Sequence, residues 1–250
     1  MERGLYAAAT GMIAQQTIQD TLAQNLANSN TVGYKQDVPT FKAVHGMALQ
    51  RVTDGFGRGV SVGQVGLGVA ADKIYTDWQT GPLATTNNAL DASLEPGQFF
   101  AVQTPRGARY TRAGNFQLDS TGTLTTSNGF PVLGTDNNPI RIAGSVPPAI
   151  DSHGNINVGG VAVARLQIVD AAKDAMAKDG ETLFRPVAPQ GIRPAAAPGV
   201  HPGTLEQSNV NIVSGMVRMI TVSRGFEMAQ RAIVTQDEML KHAANDLARV

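Results

Sequence analysis

Several groups of residues have the types and spacings that chemistry requires. Gly59-Val60-Ser61-Val62-Gly63 has the G-x-S-x-G form of a nucleophile elbow. That motif works from a tight strand-to-helix turn that thrusts the serine hydroxyl toward a histidine and an acid. Gly66-x-Gly68-x-x-Ala71 approaches a dinucleotide fingerprint, in which glycines let a helix N-terminus meet a pyrophosphate. Asp72 with Asp77, and Asp91 with Glu95, are close enough in sequence to act as paired acid and base. The four histidines, His45, His153, His201 and His242, are the remaining candidates for a metal or a general base.

Each group needs an element to position it, and the sequence does not supply one. Gln64 to Gly68 cannot start a stable helix behind Ser61, because glycine costs about 1 kcal/mol per helical position. Lys73 to Trp78 runs directly to Gly81-Pro82, too short for the helix a dinucleotide site requires. The histidines lack ligand spacing such as H-x-x-x-H. Nothing marks the carboxylate pairs apart from solvated or capping residues. The reading is therefore no catalytic residue, no cofactor site and no metal site.

Composition narrows the class further. The 250 residues carry 20 Lys+Arg against 20 Asp+Glu, so no broad field draws in nucleic acid or an anionic membrane. No cysteine is present, which removes disulfides, thiol nucleophiles and thiolate metal sites. The charged fraction is only 16%, against about 25% in ordinary soluble chains, which suits surfaces covered by other protein. No segment has signal-peptide character, since Gln15, Gln16, Gln19 and Asp20 interrupt the N-terminal apolar pattern. No run of about 18 apolar residues predicts a membrane span.

The hydrophobic pattern predicts an α+β chain, helical at both ends and antiparallel β in the middle. Leu5, Ala8, Met12, Gln15, Gln19, Leu22 and Leu26 recur at alternating steps of three and four, one face of a helix about 33 Å long. Ile212, Met216, Met219, Ser223, Phe226, Gln230, Ile233, Asp237, Leu240, Ala244 and Leu247 continue the same alternation over about 54 Å. Asn209 or Asn211 is suited to cap its start. The economical arrangement pairs the two helices as an elongated coiled coil that brings the chain ends together. Residues 1–34 and 208–250 then form a terminal helical domain, and 73–190 a β-rich domain. Residues 35–72 and 191–207 read as connectors, the second containing Pro194, Pro198 and Pro202. Within the β region, Asp119 to Gly122, Asn128-Gly129 and Asp151 to Gly154 read as turns.

One resemblance runs along most of the chain. Asn25-Leu26-Ala27-Asn28-Ser29-Asn30-Thr31-Val32-Gly33-Tyr34-Lys35 resembles the N-terminal signature of the flagellar basal-body rod and hook proteins. Tyr75 to Leu83, Gly97 to Val102 and Tyr110 to Phe116 are similar to the middle of that family. Ser208-Asn209-Val210-Asn211, leading into Met216 to Leu240, is similar to its C-terminal block, and all stretches come in family order. Residues 130–140, 163–169 and 180–184 look most like the proximal-rod member, with the distal-rod member next.

The resemblance implies a structural subunit of the flagellar rod, in the cell envelope, that polymerises into the torque-transmitting axial shaft. It implies export through the flagellar type III apparatus, unfolded and without a cleaved signal. The partners would be copies of this chain and other axial proteins, with neither nucleic acid nor a small-molecule substrate. The assembly interface implied is Leu5, Met12, Leu22, Asn25, Leu26, Asn28, Gly33, Tyr34, Met216, Met219, Phe226, Ile233, Leu240 and Leu247. Asn25, Asn28 and Asn30 suit either helix termination or a bond to a neighbouring subunit. Early export substrates of this kind carry a Phe with an apolar residue four positions on. Phe41 is followed by His45, so Val44 or Met47 would have to serve instead.

Two other classes compete with this reading. A surface-binding β module with a helical dimerisation stalk would form a discrete dimer. A carbohydrate-active enzyme would need two carboxylates about 5–9.5 Å apart across a cleft.

Overall fold

The expected helices are present at both ends of the sequence. Helix α1 spans Glu2–Ala27 and helix α2 spans Ile212–Leu247 in a computed structural model. The structure describes residues 2–44, 46–51, 60–66, 68–143 and 146–247. His45, Gly59 of the serine motif and Leu67 of the second glycine motif lie outside the described residues.

The chain divides into two compact units. The first holds residues 1–26, 37–75 and 212–250, that is α1, α2 and nearly all of the 35–72 segment expected as a connector. That segment carries four strands: β1 (Asp37–Ala43), β2 (Met47–Arg51), β3 (Val60–Val65) and β4 (Val69–Thr76). β1 pairs with β4, and β2 pairs antiparallel with β3 across a bulge between Leu49 and Gln50. Ser61 sits inside β3 opposite Gln50, in a strand ladder with no helix behind it, so the elbow geometry does not form.

The two helices do not make the coiled coil that their seams predict. Leu5 is 37% exposed, Met216 49% and Leu240 38%, while Met12, Leu26, Met219, Phe226 and Ile233 are only half-buried. Of the apolar seam residues whose side chains are described, Leu22 alone is buried. The helices approach each other through glutamine and glycine. A methyl group added at Gly4 would collide with the Gln236 amide, and one at Gly225 would press on the Gln15 amide. These two contacts, eleven residues apart on each helix, set α1 and α2 antiparallel. The physical reason is in the seam itself. Gln15, Gln19, Gln230 and Asp237 cannot serve as apolar knobs, so interlocked packing has too few of them to sustain it.

The second unit holds residues 27–36 and 76–211. Its strands are β5 (Leu83–Thr85), β6 (Ala92–Leu94), β7 (Gln98–Thr104), β8 (Gly107–Thr111) and β9 (Phe116–Leu118). They continue with β10 (Leu124–Thr126), β11 (Pro148–Ile150), β12 (Asn155–Val158), β13 (Val161–Arg165) and β14 (Ile168–Ala171). The last are β15 (Met176–Lys178), β16 (Leu183–Pro186), β17 (Ile192–Pro194), β18 (Val200–Pro202) and β19 (Thr204–Glu206). A six-stranded antiparallel sheet in the order β15-β16-β8-β7-β14-β17 is the largest element. β17, with Pro194, takes its edge, where a missing N–H is tolerated.

The turns fall where their residues demand. β9 and β10 pair across Asp119 to Gly122, with Gly122 at φ +76° and the Asp119 carboxylate accepting from the Thr121 and Thr123 amides. β11 and β12 pair across Asp151 to Gly154 in the same manner. Phe100, Phe116, Leu124, Val132, Ile156 and Leu166 form the main core. A smaller cluster of Phe99, Val169, Met176 and Phe184 packs under Trp78, whose ring lies 4.9 Å from Phe184 and 5.7 Å from Phe99.

Candidate assembly junction

Within the second unit, the end of the N-terminal signature is locked into the β structure by one residue after another. Gly33 sits at φ +71°, and a Cβ there would lie 2.4 Å from the backbone nitrogen of Ala113. Only glycine meets both conditions, a left-handed backbone and close approach to another strand. Its amide donates to the Glu206 carbonyl at 2.8 Å. The Tyr34 side chain is fully buried, with the Lys178 ammonium 3.8 Å from its ring centre. Lys178 also donates to the Lys35 carbonyl at 2.7 Å.

Lys35 then enters a buried ion cluster. Its ammonium donates to Glu206 Oε1 at 2.6 Å and to the Gln79 carbonyl at 2.7 Å. Glu206 Oε1 also accepts from the Gly81 amide at 3.0 Å. Glu206 Oε2 accepts from Arg112 Nε at 2.6 Å and is paired with Arg112 Nη2. The guanidinium spends its other donors on the carbonyls of Leu94, Glu95 and Gln98. The three side chains are 1–3% exposed. Burial pushes the Lys35 ammonium below its ordinary pKa, against the pull of Glu206. A buried cluster of this kind adds little net stability, but removing one partner strands the others at high cost.

Asn209 completes the junction. Its carbonyl accepts from the Gln36 amide at 2.8 Å, and its amide donates to the carbonyls of Asp77 at 3.0 Å and Gln79 at 3.2 Å. It thus ties three separate stretches together, and Asn211 is the residue that immediately precedes α2. Three segments far apart in sequence, 33–36, 77–81 and 206–209, are thereby fixed to the Arg112 turn.

The expected interface residues fall into two groups. Gly33 and Tyr34 belong to this junction, and Asn28 lies at the turn leading into it, its carboxamide oxygen accepting from Thr31 at 3.1 Å. Asn25 exchanges two hydrogen bonds with the Asp37 backbone, at 2.7 and 2.9 Å, and so pins the start of β1 to α1. Leu5, Met12, Leu22, Leu26, Met216, Met219, Phe226, Ile233 and Leu240 lie along the helices. The backbone of Leu247 is the last described turn of α2, and its side chain lies outside the described residues.

Sequence reasoning missed Arg112, Glu206 and Asn209 as site residues. Arg112 and Asn209 stand inside the family-like stretches, which was the only signal for Arg112, while Asn209 was marked besides only as a candidate helix cap. Glu206 carried none. The carboxylates singled out for catalysis do structural work instead. Asp72 pairs with Lys42 at 3.0 Å, and Asp77 accepts from the Gln79 amide. Asp91 accepts from Thr86 and Asn88, and Glu95 pairs with His201. Among the described residues no cluster of His, Asp and Glu has the arrangement of a metal site.

Comparison with known proteins addresses the whole chain. Residues 5–35 match the family model of flagella basal body rod proteins, and 96–168 match the flagellar hook protein FlgE/F/G D1 domain. Residues 201–247 match the flagellar basal body rod FlgEFG protein C-terminal model. The chain is 35% identical to the flagellar basal-body rod protein FlgG of Bacillus subtilis, covering 98% of this chain and 99% of that protein. It is 33% identical to the FlgF rod protein of Rhizobium meliloti, over 91% and 90%. It is 35% identical to FlgG of Borreliella burgdorferi, over the full length of both.

Proposed function

The chain belongs to the flagellar basal-body rod protein family, and from that premise we propose that its terminal helices are the surfaces on which the rod is built. The protein is a structural subunit of the rod in the flagellar basal body and not an enzyme. Its partners are copies of itself and other axial proteins, laid against α1 and α2. The carrying observation is the apolar surface those helices leave open. Val213 is 72% exposed and Tyr6 66%, and Ile13, Val217, Ile220 and Met228 are each more than half exposed. Val213, Val217 and Ile220 fall on one stripe of α2, at steps of four and three. A monomer does not keep such a stripe in water without a use for it. A repeated contact between unlike faces of identical subunits generates a helical filament, the form a shaft requires.

The export reading follows from the same feature. Helices that lack apolar cover order fully only when neighbours supply it, so the chain can be delivered through the flagellar type III apparatus before it assembles. A helical stalk that closes a discrete dimer would bury the stripe once and stop.

Sedimentation velocity over a range of concentrations tests the proposal. The wild-type chain is expected to form species that grow with concentration, and Val217→Asp to remain monomeric with unchanged β structure. Identical sedimentation of the two proteins at all concentrations would overturn the reading.

A further inference from the structure

Beside the ion cluster lies a cavity of about 250 Å³. Trp78, Phe99, Pro96 and Met176 give it apolar walls, and Lys35 and Arg112 also line it. No carboxylate is among the lining residues. Glu206 pairs with both cations without lining the cavity, and Asp77 reaches Lys35 only through space. Arg112 has committed all of its N–H groups to Glu206 and three carbonyls. Lys35 has committed two, to Gln79 and Glu206, and its third ammonium hydrogen remains for a ligand. The cavity therefore borders a buried cluster of two cations and one carboxylate, net charge +1, with one Lys35 ammonium hydrogen uncommitted, within an aromatic and aliphatic wall.

We propose that this cavity is a binding site for one carboxylate carried on a short apolar stem. The charge selects an anion, because two cations share a single carboxylate and a charge-assisted bond to the remaining ammonium hydrogen is stronger than a neutral one. The walls select an apolar body. The volume, about eight waters' worth at roughly 30 Å³ each, matches a single ring or a branched acyl chain. Two sources offer this chemistry: a free small carboxylate, or an acidic side chain presented by a second copy of the chain. The site stands whether or not the helices polymerise, and sedimentation does not read it.

Trp78 is the chain's only tryptophan and lines the cavity, so its emission reports occupancy directly. The probe is phenylacetate, titrated into the full-length protein, with phenylacetamide as its neutral counterpart. Phenylacetate is expected to give a saturable change in Trp78 emission, and the amide to bind about tenfold more weakly or less, from loss of the charge-assisted bond. Lys35→Met is expected to abolish the preference for the acid. Because Lys35→Met also disturbs the ion cluster, Ala172→Phe supplies an independent block. Ala172 lines the cavity at an exposed, extended position, so the ring fills the space without entering the cluster. Its unfolding midpoint is expected to match wild type while binding is lost. Equal binding of acid and amide, no saturable binding, or undiminished binding to Ala172→Phe would each overturn the site. With bound probe, release on assembly identifies a neighbour's acidic side chain as the occupant, and retention identifies a free carboxylate; either result upholds the site.

Discussion

The two units treat their apolar residues in opposite ways. In the β unit, Phe100, Leu124, Ile156 and Leu166 are all but fully buried, and even its buried charges are paired. In the helical unit, apolar residues stand along both helices with much of their surface in water. The first is a finished core, whereas the second has the open apolar surface that the proposed assembly would cover. The difference teaches where each unit gets its order. The β unit closes on itself, whereas the described residues of the helical unit leave much of the helices' apolar surface open.

The sharpest way to break that contrast is to damage the finished unit. Glu206→Gln leaves Lys35 and Arg112 buried against a neutral amide, and is expected to cost about 3–5 kcal/mol. Urea unfolding followed by Trp78 emission measures it, since Trp78 lies in the same unit. A loss under 1 kcal/mol would mean that the junction is wetter and looser than its geometry. Gly33→Ala comes next. Its backbone conformation alone is expected to cost about 1–3 kcal/mol, before the collision with Ala113 is counted. Wild-type stability in the same unfolding curve would show that the signature glycine is not held at the junction.

A smaller effect concerns acid. Burial nudges the Asp151 carboxyl upward, but hydrogen bonds from Asn155, His153 and Asn157 outweigh it and hold the pKa at about 2. A folded pKa below the unfolded one gives stability that is present above the unfolded value and is lost as pH falls through the folded one. The β unit should therefore weaken between about pH 4 and pH 2. Asp151→Asn should flatten that limb of the stability profile by lowering the plateau near neutrality, where the ionised carboxylate contributes in full. An unchanged acid limb would assign the loss to other carboxylates.

The smallest effect on stability is expected from the helices. Val217→Asp, at an exposed site, should alter unfolding by about 0.5 kcal/mol or less, while abolishing growth of assemblies. Peptide-resolved amide hydrogen exchange sharpens the comparison without any substitution. Slow exchange in β7, β8 and β14 with fast exchange in α1 and α2 is expected of the monomer. Strong protection of both helices at low concentration would remove the distinction between the units.

Much of this was legible because it depends on neighbours in sequence. The three-four alternation gave both helices, and Asp119-Ser120-Thr121-Gly122 and Asp151-Ser152-His153-Gly154 gave their turns, since a side-chain acceptor followed by a glycine sets its own backbone. The ribbon of β1 to β4 was not legible. The residues of β1 and β4 are largely exposed or only half-buried, so no alternation of apolar and polar positions marks those two strands. The seam misled for a related reason. Its spacing is that of a coiled coil, but the glutamines and aspartate within it, not the spacing, decide whether knobs can interlock.

The sequence by itself determined the class of protein: two amphipathic ends, an antiparallel β middle, family-like stretches in order, and no constellation able to do chemistry. Only the tertiary structure decided the junction. Lys35, Arg112 and Glu206 are separated by 77 and 94 residues, and no local pattern marks a charge that will be buried beside another. That pairing exists because closing the β unit takes all three out of water at once, and burial of any one is tolerable only with the others in place.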